Sequence, residues 1–167
     1  GLPYVFANHF SGDGLERALD LYRTGFVASE WLSEPATFLT INAVAAPTDE
    51  EAQARALPQL RAMARLRSNK PSIPLETIEQ AQPGSVADAD PAAEDNLRRM
   101  RSRWLVGDAA HVASELRAFA TRYGVNEVMV SPVSGSFDGE AMDAAPGRVQ
   151  TLGLLASELI ADAATAK

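Results

Sequence analysis

The chain has 167 residues, 46% of them apolar and 22% charged, which is one domain's worth and enough for a hydrophobic core. A net charge of -7 and a pI near 4.8 speak against binding nucleic acid through a basic surface and against docking on an anionic membrane. Cysteine is absent, which removes disulfides, thiolate nucleophiles and cysteine metal ligands, and no run nears the roughly 18 apolar residues of a membrane span, so a soluble, cytoplasmic protein is expected.

Leu2 to Ala7 is a short run of aromatic and branched residues, which predicts a strand covered on both faces. Opening on a core strand, with no methionine and no leader, the chain reads as the continuation of something longer. Asn8, His9, Ser11, Gly12 and Asp13 end the run. Asp13 suits an N-cap, with Glu16 completing a capping box. Leu15, Ala18, Leu19, Tyr22 and Phe26 then recur at helical spacing, giving a helix from Gly14 to about Gly25. After an irregular connection, Thr37 to Ala46 predicts a second apolar strand.

Thr48 and Glu51 form another capping box, for a helix that carries Ala52, Ala56, Leu60, Met63 and Leu66 inward as far as Ser68. Pro58 is expected to kink or split it. Residues 69–91 hold four of the ten prolines and little periodicity, which predicts a mobile lid or a disordered insert. Pro91 opens a helix to about Trp104, with Leu97, Met100 and Trp104 on one side. Its arginines, Arg98, Arg99, Arg101 and Arg103, read as a solvated face or as a site for phosphate or an acidic ligand. Leu105 to Asp108 leads into a helix capped by Asp108, with Val112, Leu116, Phe119, Ala120 and Tyr123 inward and Gly124 as its stop. Val125 to Val130 predicts the third strand. A last helix, Pro146 to Ala163, is expected to bury Val149, Leu152, Leu155, Leu159 and Ile160.

Strands alternating with helices imply an α/β fold with parallel strands and right-handed crossovers. In a parallel barrel the reactive groups sit where strands end, here Ala7 to Phe10, Ala45 to Pro47 and Val130 to Pro132. His9 is the histidine at such a place. It reads as a hydrogen-bond donor or general acid/base, or as a ring bonded to a neighbouring loop. Asn8 shapes the turn or meets a ligand's polar edge. Phe10 and Phe6 could touch an apolar ligand, with core packing the simpler role for Phe6. His111 is expected on a helix surface. Ser131 and Ser134 lack a nucleophile elbow. Two distant histidines without His-Glu-x-x-His spacing make no zinc site, and the glycine groups at 12–14 and 135–139 match neither the dinucleotide fingerprint nor the phosphate loop.

Gly1 to Phe10 followed by Ala18 to Arg23, Thr37 to Ala46 with Thr48 to Ala52, Leu105 to Asp108 with Val112, and Glu127 to Val130 together resemble, in order and spacing, the bacterial luciferase-like flavin monooxygenases. The resemblance implies a (β/α)8 TIM barrel of roughly twice this length. This chain would be its C-terminal half, with residues 2–7, 37–46 and 125–130 as strands six, seven and eight. It also implies reduced FMN (FMNH2), or F420 in some branches, with O2 as oxidant and a small organic substrate. Ala7, Asn8 and His9 fall where the family contacts its flavin, with His9 as the catalytic candidate and Phe10 on the substrate side. Some luciferases carry Ser-Trp in place of Ala7 and Asn8, and this chain has neither residue there. The family's main phosphate loop and principal catalytic histidine belong to earlier strands. Residues 69–91 match the family's mobile lid.

Three parallel strands cannot close a barrel. The partner expected is therefore the N-terminal half of the barrel or a second copy, with a flavin reductase as a further partner. Two other readings stay open: an F420-dependent oxidoreductase of the same fold, and a non-catalytic half-barrel that serves binding or oligomerisation.

Overall fold

The computed structural model describes residues 1–10, 12–82 and 91–165. Its elements are α1 (Leu15–Thr24), β1 (Leu39–Ala46), α2 (Asp49–Arg67), α3 (Pro91–Arg101), β2 (Leu105–Asp108), α4 (Ala109–Tyr123), β3 (Val128–Pro132) and α5 (Pro146–Thr165). β1 is buried along its whole length and lies at the centre of a parallel sheet in the order β2-β1-β3. It pairs with β2 from Ala43–Leu105 to Ala46–Asp108 and with β3 from Leu39–Val128 to Ala43–Pro132.

Side chains alternate along a strand, so the two faces of β1 serve different helices. Val44 and Ala46 pack on Ala52, Ala56 and Leu60 of α2, on Met100 of α3 and on Trp104 in the turn after it. Ile41, Ala43 and Ala45 pack on Val112 and Leu116 of α4 and Leu155 of α5. Leu39 meets Leu15 and Leu19 of α1. Cover on both faces explains why the sequence of β1 reads as a continuous apolar run.

Local capping follows the sequence at three ends. Thr48 Oγ1 accepts the Glu51 amide at 3.2 Å, Asp108 accepts the His111 amide at 2.9 Å, and Gly124 closes α4 at φ 61°. The start of α1 differs. Gly14, at φ 85°, is the N-cap without a side-chain bond, and Asp13 turns outward to Arg103 at 2.7 Å. The glycine takes a left-handed turn that removes the preceding aspartate from capping distance.

Other expectations are corrected. Residues 2–7 form no sheet strand but one parallel bridge, Phe6–Leu39. Pro3 lacks a donor, and the segment bonds elsewhere, as Tyr4 N–H donates to Ala36 O at 3.1 Å. Further along that edge β2 pairs with Ala43 to Ala46, and between them Asn8 Nδ2 donates to Thr40 O at 3.0 Å. β3 starts three residues later than expected, because Val125 N–H still closes α4 by donating to Ala120 O at 3.0 Å. Pro58 does not split α2, which runs unbroken with Pro58 buried inside it. Gly135 N–H donates to Arg55 O at 2.6 Å, three residues before the proline, so the loop after β3 bonds the helix beside it. Gly135 has no room for a side chain, since a Cβ there would lie 2.7 Å from Pro58 Cγ.

Leu66 is exposed, as are Val149, Leu152 and Ile160 of α5, whose inward stripe reduces to Leu155 with Leu154 and Leu159 partly covered. Arg55 and Arg61 take buried places on α2 instead. In the expected insert, residues 71–74 are exposed and residues 75–77 partly covered, with Ile78 and Ala81 buried. Arg61 pairs with Glu76 at 3.2 Å and donates to Ala81 O at 3.0 Å. Residues 83–90 lie outside the described residues. Among the described residues, no helix is long and apolar enough to cross a membrane.

Candidate functional site

The end of the N-terminal segment is fastened to β1 by two polar side chains that the strand buries, Thr40 and Asn42, which are 2% and 8% exposed. Thr40 Oγ1 donates to Phe6 O at 3.2 Å, accepts His9 N–H at 3.3 Å and lies 2.8 Å from His9 Nδ1. Asn42 Nδ2 donates to His9 O at 2.7 Å. In the other direction, Asn8 Nδ2 donates to Thr40 O at 3.0 Å. Five contacts thus join residues 6–9 to Thr40 and Asn42. Gly12, at φ 70°, lets the chain turn away, and a Cβ there would sit 3.0 Å from Asn8 Oδ1.

A small cleft opens beside this loop. Asn8, His9, Phe10 and Asn42 line one side, and Met63, Arg67, Met100, Arg103 and Trp104 from α2, α3 and the turn after it line the other. The Phe10 ring lies against His9 with centroids 4.5 Å apart. Arg67 donates to Phe10 O, and Arg103 pairs with Asp13. The cleft therefore combines amide, imidazole and guanidinium groups with aromatic and thioether walls.

Asn8, His9 and Phe10 of the expected site come together at this cleft. Phe10 is 63% exposed on its rim. Ala7 does not line it and takes part in the turn, accepting Phe10 N–H at 3.1 Å. His111 lies on the surface, its Nε2 3.5 Å from Glu115. Ser134 is buried and shares a 2.7 Å hydrogen bond with Thr151. Among the described residues no three His, Cys, Asp or Glu side chains group as metal ligands. Thr40 and Asn42 were missed because they sit inside a strand read as apolar. Their spacing of two, which puts both on one face, is the signal that could have found them.

A second polar cluster braces the loop after β3. Arg55, 5% exposed, donates to Gly135 O at 3.1 Å, to both oxygens of Glu140 at 3.1 and 3.0 Å, and to Glu51 at 2.7 Å. Its guanidinium lies 4.6 Å from the centre of the Phe137 ring. Burial alone would lower its pKa, but the bonds to Glu140 and Glu51 outweigh it and hold Arg55 above its ordinary value. The Arg55 bond in turn holds the Glu140 carboxyl below its ordinary range.

A family model described as luciferase-like monooxygenase matches residues 1–127. The chain is 30% identical over 134 residues to a protein of Escherichia coli (strain K12) named luciferase-like monooxygenase, covering 78% of this chain and 38% of that one. It is 34% identical over 145 residues to the Bacillus subtilis (strain 168) protein YceB, covering 84% and 41%. The chain thus spans about two fifths of these curated relatives, 38% and 41% of their lengths. Among solved structures it is similar to apo-MsnO8, with a TM-score of 0.73 and 25% identity over 95% of this chain and 45% of that one.

Proposed function

This chain belongs to the luciferase-like monooxygenase family, and from that premise we propose that it forms one wall of the active site of a flavin-dependent monooxygenase. The enzyme would use reduced FMN and O2 to oxygenate a small organic substrate. The observation that supports this reading is the cleft at His9, where a polar edge and an apolar wall face each other.

The residues fit one edge of a flavin. Asn8, His9, Arg67 and Arg103 offer polar atoms, while Phe10, Trp104, Met63 and Met100 offer flat or deformable apolar surface. The enclosed volume of ≈ 20 Å³ is about one water's worth, so other parts of the protein must cover the rest of the ring. When bound, the flavin supplies the oxygen-activating chemistry. This chain's residues orient the ring edge, exclude water from it and, at His9, hold or move a proton.

We assign the segment bridged at Phe6, β1 and β3 to positions six, seven and eight of a TIM barrel. Three strands cannot close one, so the N-terminal half of the barrel, or a second copy, completes the site. Among the described residues the outer edge of β3 has no partner strand, and with the exposed Val149, Leu152 and Ile160 of α5 it supports that reading. A flavin reductase would deliver the reduced cofactor.

Titrating FMN into this chain together with the N-terminal half from a relative tests the proposal by flavin fluorescence. Saturable quenching is expected, and His9→Ala should lower turnover at least tenfold with an unchanged circular dichroism spectrum. Unaltered fluorescence would sink the flavin reading in favour of a non-catalytic binding module. Selective capture of F420 would point to the oxidoreductase alternative.

A further inference from the structure

We propose that Thr40 is a positioning residue that fixes His9 as the Nδ1–H tautomer and leaves Nε2 as a hydrogen-bond acceptor at the cleft. The argument is a count of protons on one hydroxyl. Thr40 Oγ1 has one hydrogen and two lone pairs, and it has three neighbours within hydrogen-bond distance. Phe6 O, at 3.2 Å, can only accept, so it takes the hydroxyl hydrogen. His9 N–H, at 3.3 Å, can only donate, so it takes one lone pair. The third neighbour, His9 Nδ1 at 2.8 Å, meets the remaining lone pair and must therefore carry a proton. All three contacts are then satisfied.

The opposite tautomer breaks the set. A hydroxyl hydrogen aimed at Nδ1 leaves Thr40 Oγ1 and Phe6 O facing each other lone pair to lone pair at 3.2 Å. Thr40 is 2% exposed, so water has little access to relieve that repulsion. The surroundings also hold the ring in place. Asn42 grips His9 O, Asn8 grips Thr40 O, and Phe10 lies against the imidazole. Free histidine prefers the Nε2–H form, so the hydroxyl is selecting the minor tautomer.

The consequence concerns what the cleft can take. Among the described residues, Nε2 of His9 has no hydrogen bond. As an acceptor beside Arg67 and Arg103, which can only donate, it calls for a ligand edge that presents an N–H or O–H next to a carbonyl or anionic oxygen. This ligand class rests on the proposed function, whereas the tautomer does not.

The test reads the ring itself. Two-bond ¹H–¹⁵N correlation spectra of the labelled chain, recorded at alkaline pH where imidazoles are neutral, separate protonated from bare ring nitrogens. The chain has two histidines, and exposed His111 serves as the internal reference. The expected result is a protonated Nδ1 and a bare Nε2 at His9, retained in Thr40→Ser and shifted towards Nε2–H in Thr40→Val. Wild-type His9 with a protonated Nε2 would overturn the proposal, as would a Thr40→Val spectrum unchanged from wild type. The wild-type spectrum decides the tautomer even where Thr40→Val does not fold. A correct tautomer together with a failed flavin titration would sink the proposed function alone.

Discussion

Replacing Glu140 by glutamine tests whether the loop after β3 is held by charge or merely by shape. The substitution keeps the volume and removes the carboxylate opposite Arg55, whose side chain is 6% exposed against 26% for Glu140. Glu51 stays 2.7 Å from Arg55 Nε, so the guanidinium keeps one anionic partner. What is lost is a bidentate, charge-assisted pair with bonds of 3.1 and 3.0 Å. Charged hydrogen bonds contribute about 1.5–3 kcal/mol and neutral ones about 0.5–1.5. Partial exposure of Glu140 places the difference towards the lower end, about 1.5 kcal/mol. With a urea slope of about 2 kcal/mol/M, the unfolding midpoint should fall by about 0.7 M at pH 7.

The same pair predicts a pH dependence. Arg55 holds the folded-state pKa of Glu140 below its unfolded value. Its stabilisation is therefore complete above the ordinary carboxylate range and disappears as pH falls through the folded value. The gap between wild type and Glu140→Gln should stay constant from about pH 8 to 6, narrow below about pH 5 and close as pH falls through the folded value. Urea titrations followed by circular dichroism at these pH values read it directly. No gap at pH 7, or an undiminished one at pH 3, would refute the charge argument.

Thr151→Val should destabilise by about 2–3 kcal/mol in thermal melts and speed hydrogen exchange at the Ala45 amide, because the backbone groups of Ala45 lose a buried partner. Thr151→Ser should stay near wild type in the same melts. Thr48→Ala should cost about 1 kcal/mol by urea unfolding, through loss of the Glu51 amide cap. Gly135→Ala should cost about 1–3 kcal/mol on the same assay, since its Cβ would press on Pro58 Cγ at 2.7 Å.

The parts of this fold that can be read from sequence are those set by neighbours along the chain. The caps at Thr48 and Asp108 and the stop at Gly124 each depend on a few adjacent residues, and each occurs where its residues stand. Strands depend on partners instead. Leu105 to Asp108 is four residues long, contains a glycine and ends on a helix cap, so nothing local marks it as a strand. It becomes one because Ala43 to Ala46 offer it an edge. Residues 2–7 have the right apolar pattern, but their pairing with β1 is confined to the single bridge from Phe6 to Leu39. Family resemblance located this segment, and pairing decided how much of it became sheet.

The candidate site was half legible for the same reason. His9, Asn8 and Phe10 can be picked by residue type at the end of an apolar run, whereas Thr40 and Asn42 carry their meaning only once β1 has both neighbours. β1 is longer than either pairing, and side chains serve it where the pairing stops. Past Val133, whose amide reaches Ala43 O at 3.2 Å, Thr151 Oγ1 accepts Ala45 N–H at 3.1 Å and donates to Ala45 O at 3.0 Å. On the opposite side, below β2, Asn8 Nδ2 takes the Thr40 carbonyl at 3.0 Å. Buried backbone groups that lack a strand partner need another one, and both substitutes come from segments that lead to the candidate-site loop or to the bracing loop after β3. Thr151 ties α5 and Ser134 to the centre of the sheet, and Asn8 ties the His9 loop to it. A polar residue at the end of an apolar run should therefore be weighed first as a substitute for a missing strand. The residue beside it, as His9 is beside Asn8, is the one whose chemistry that bond holds in place.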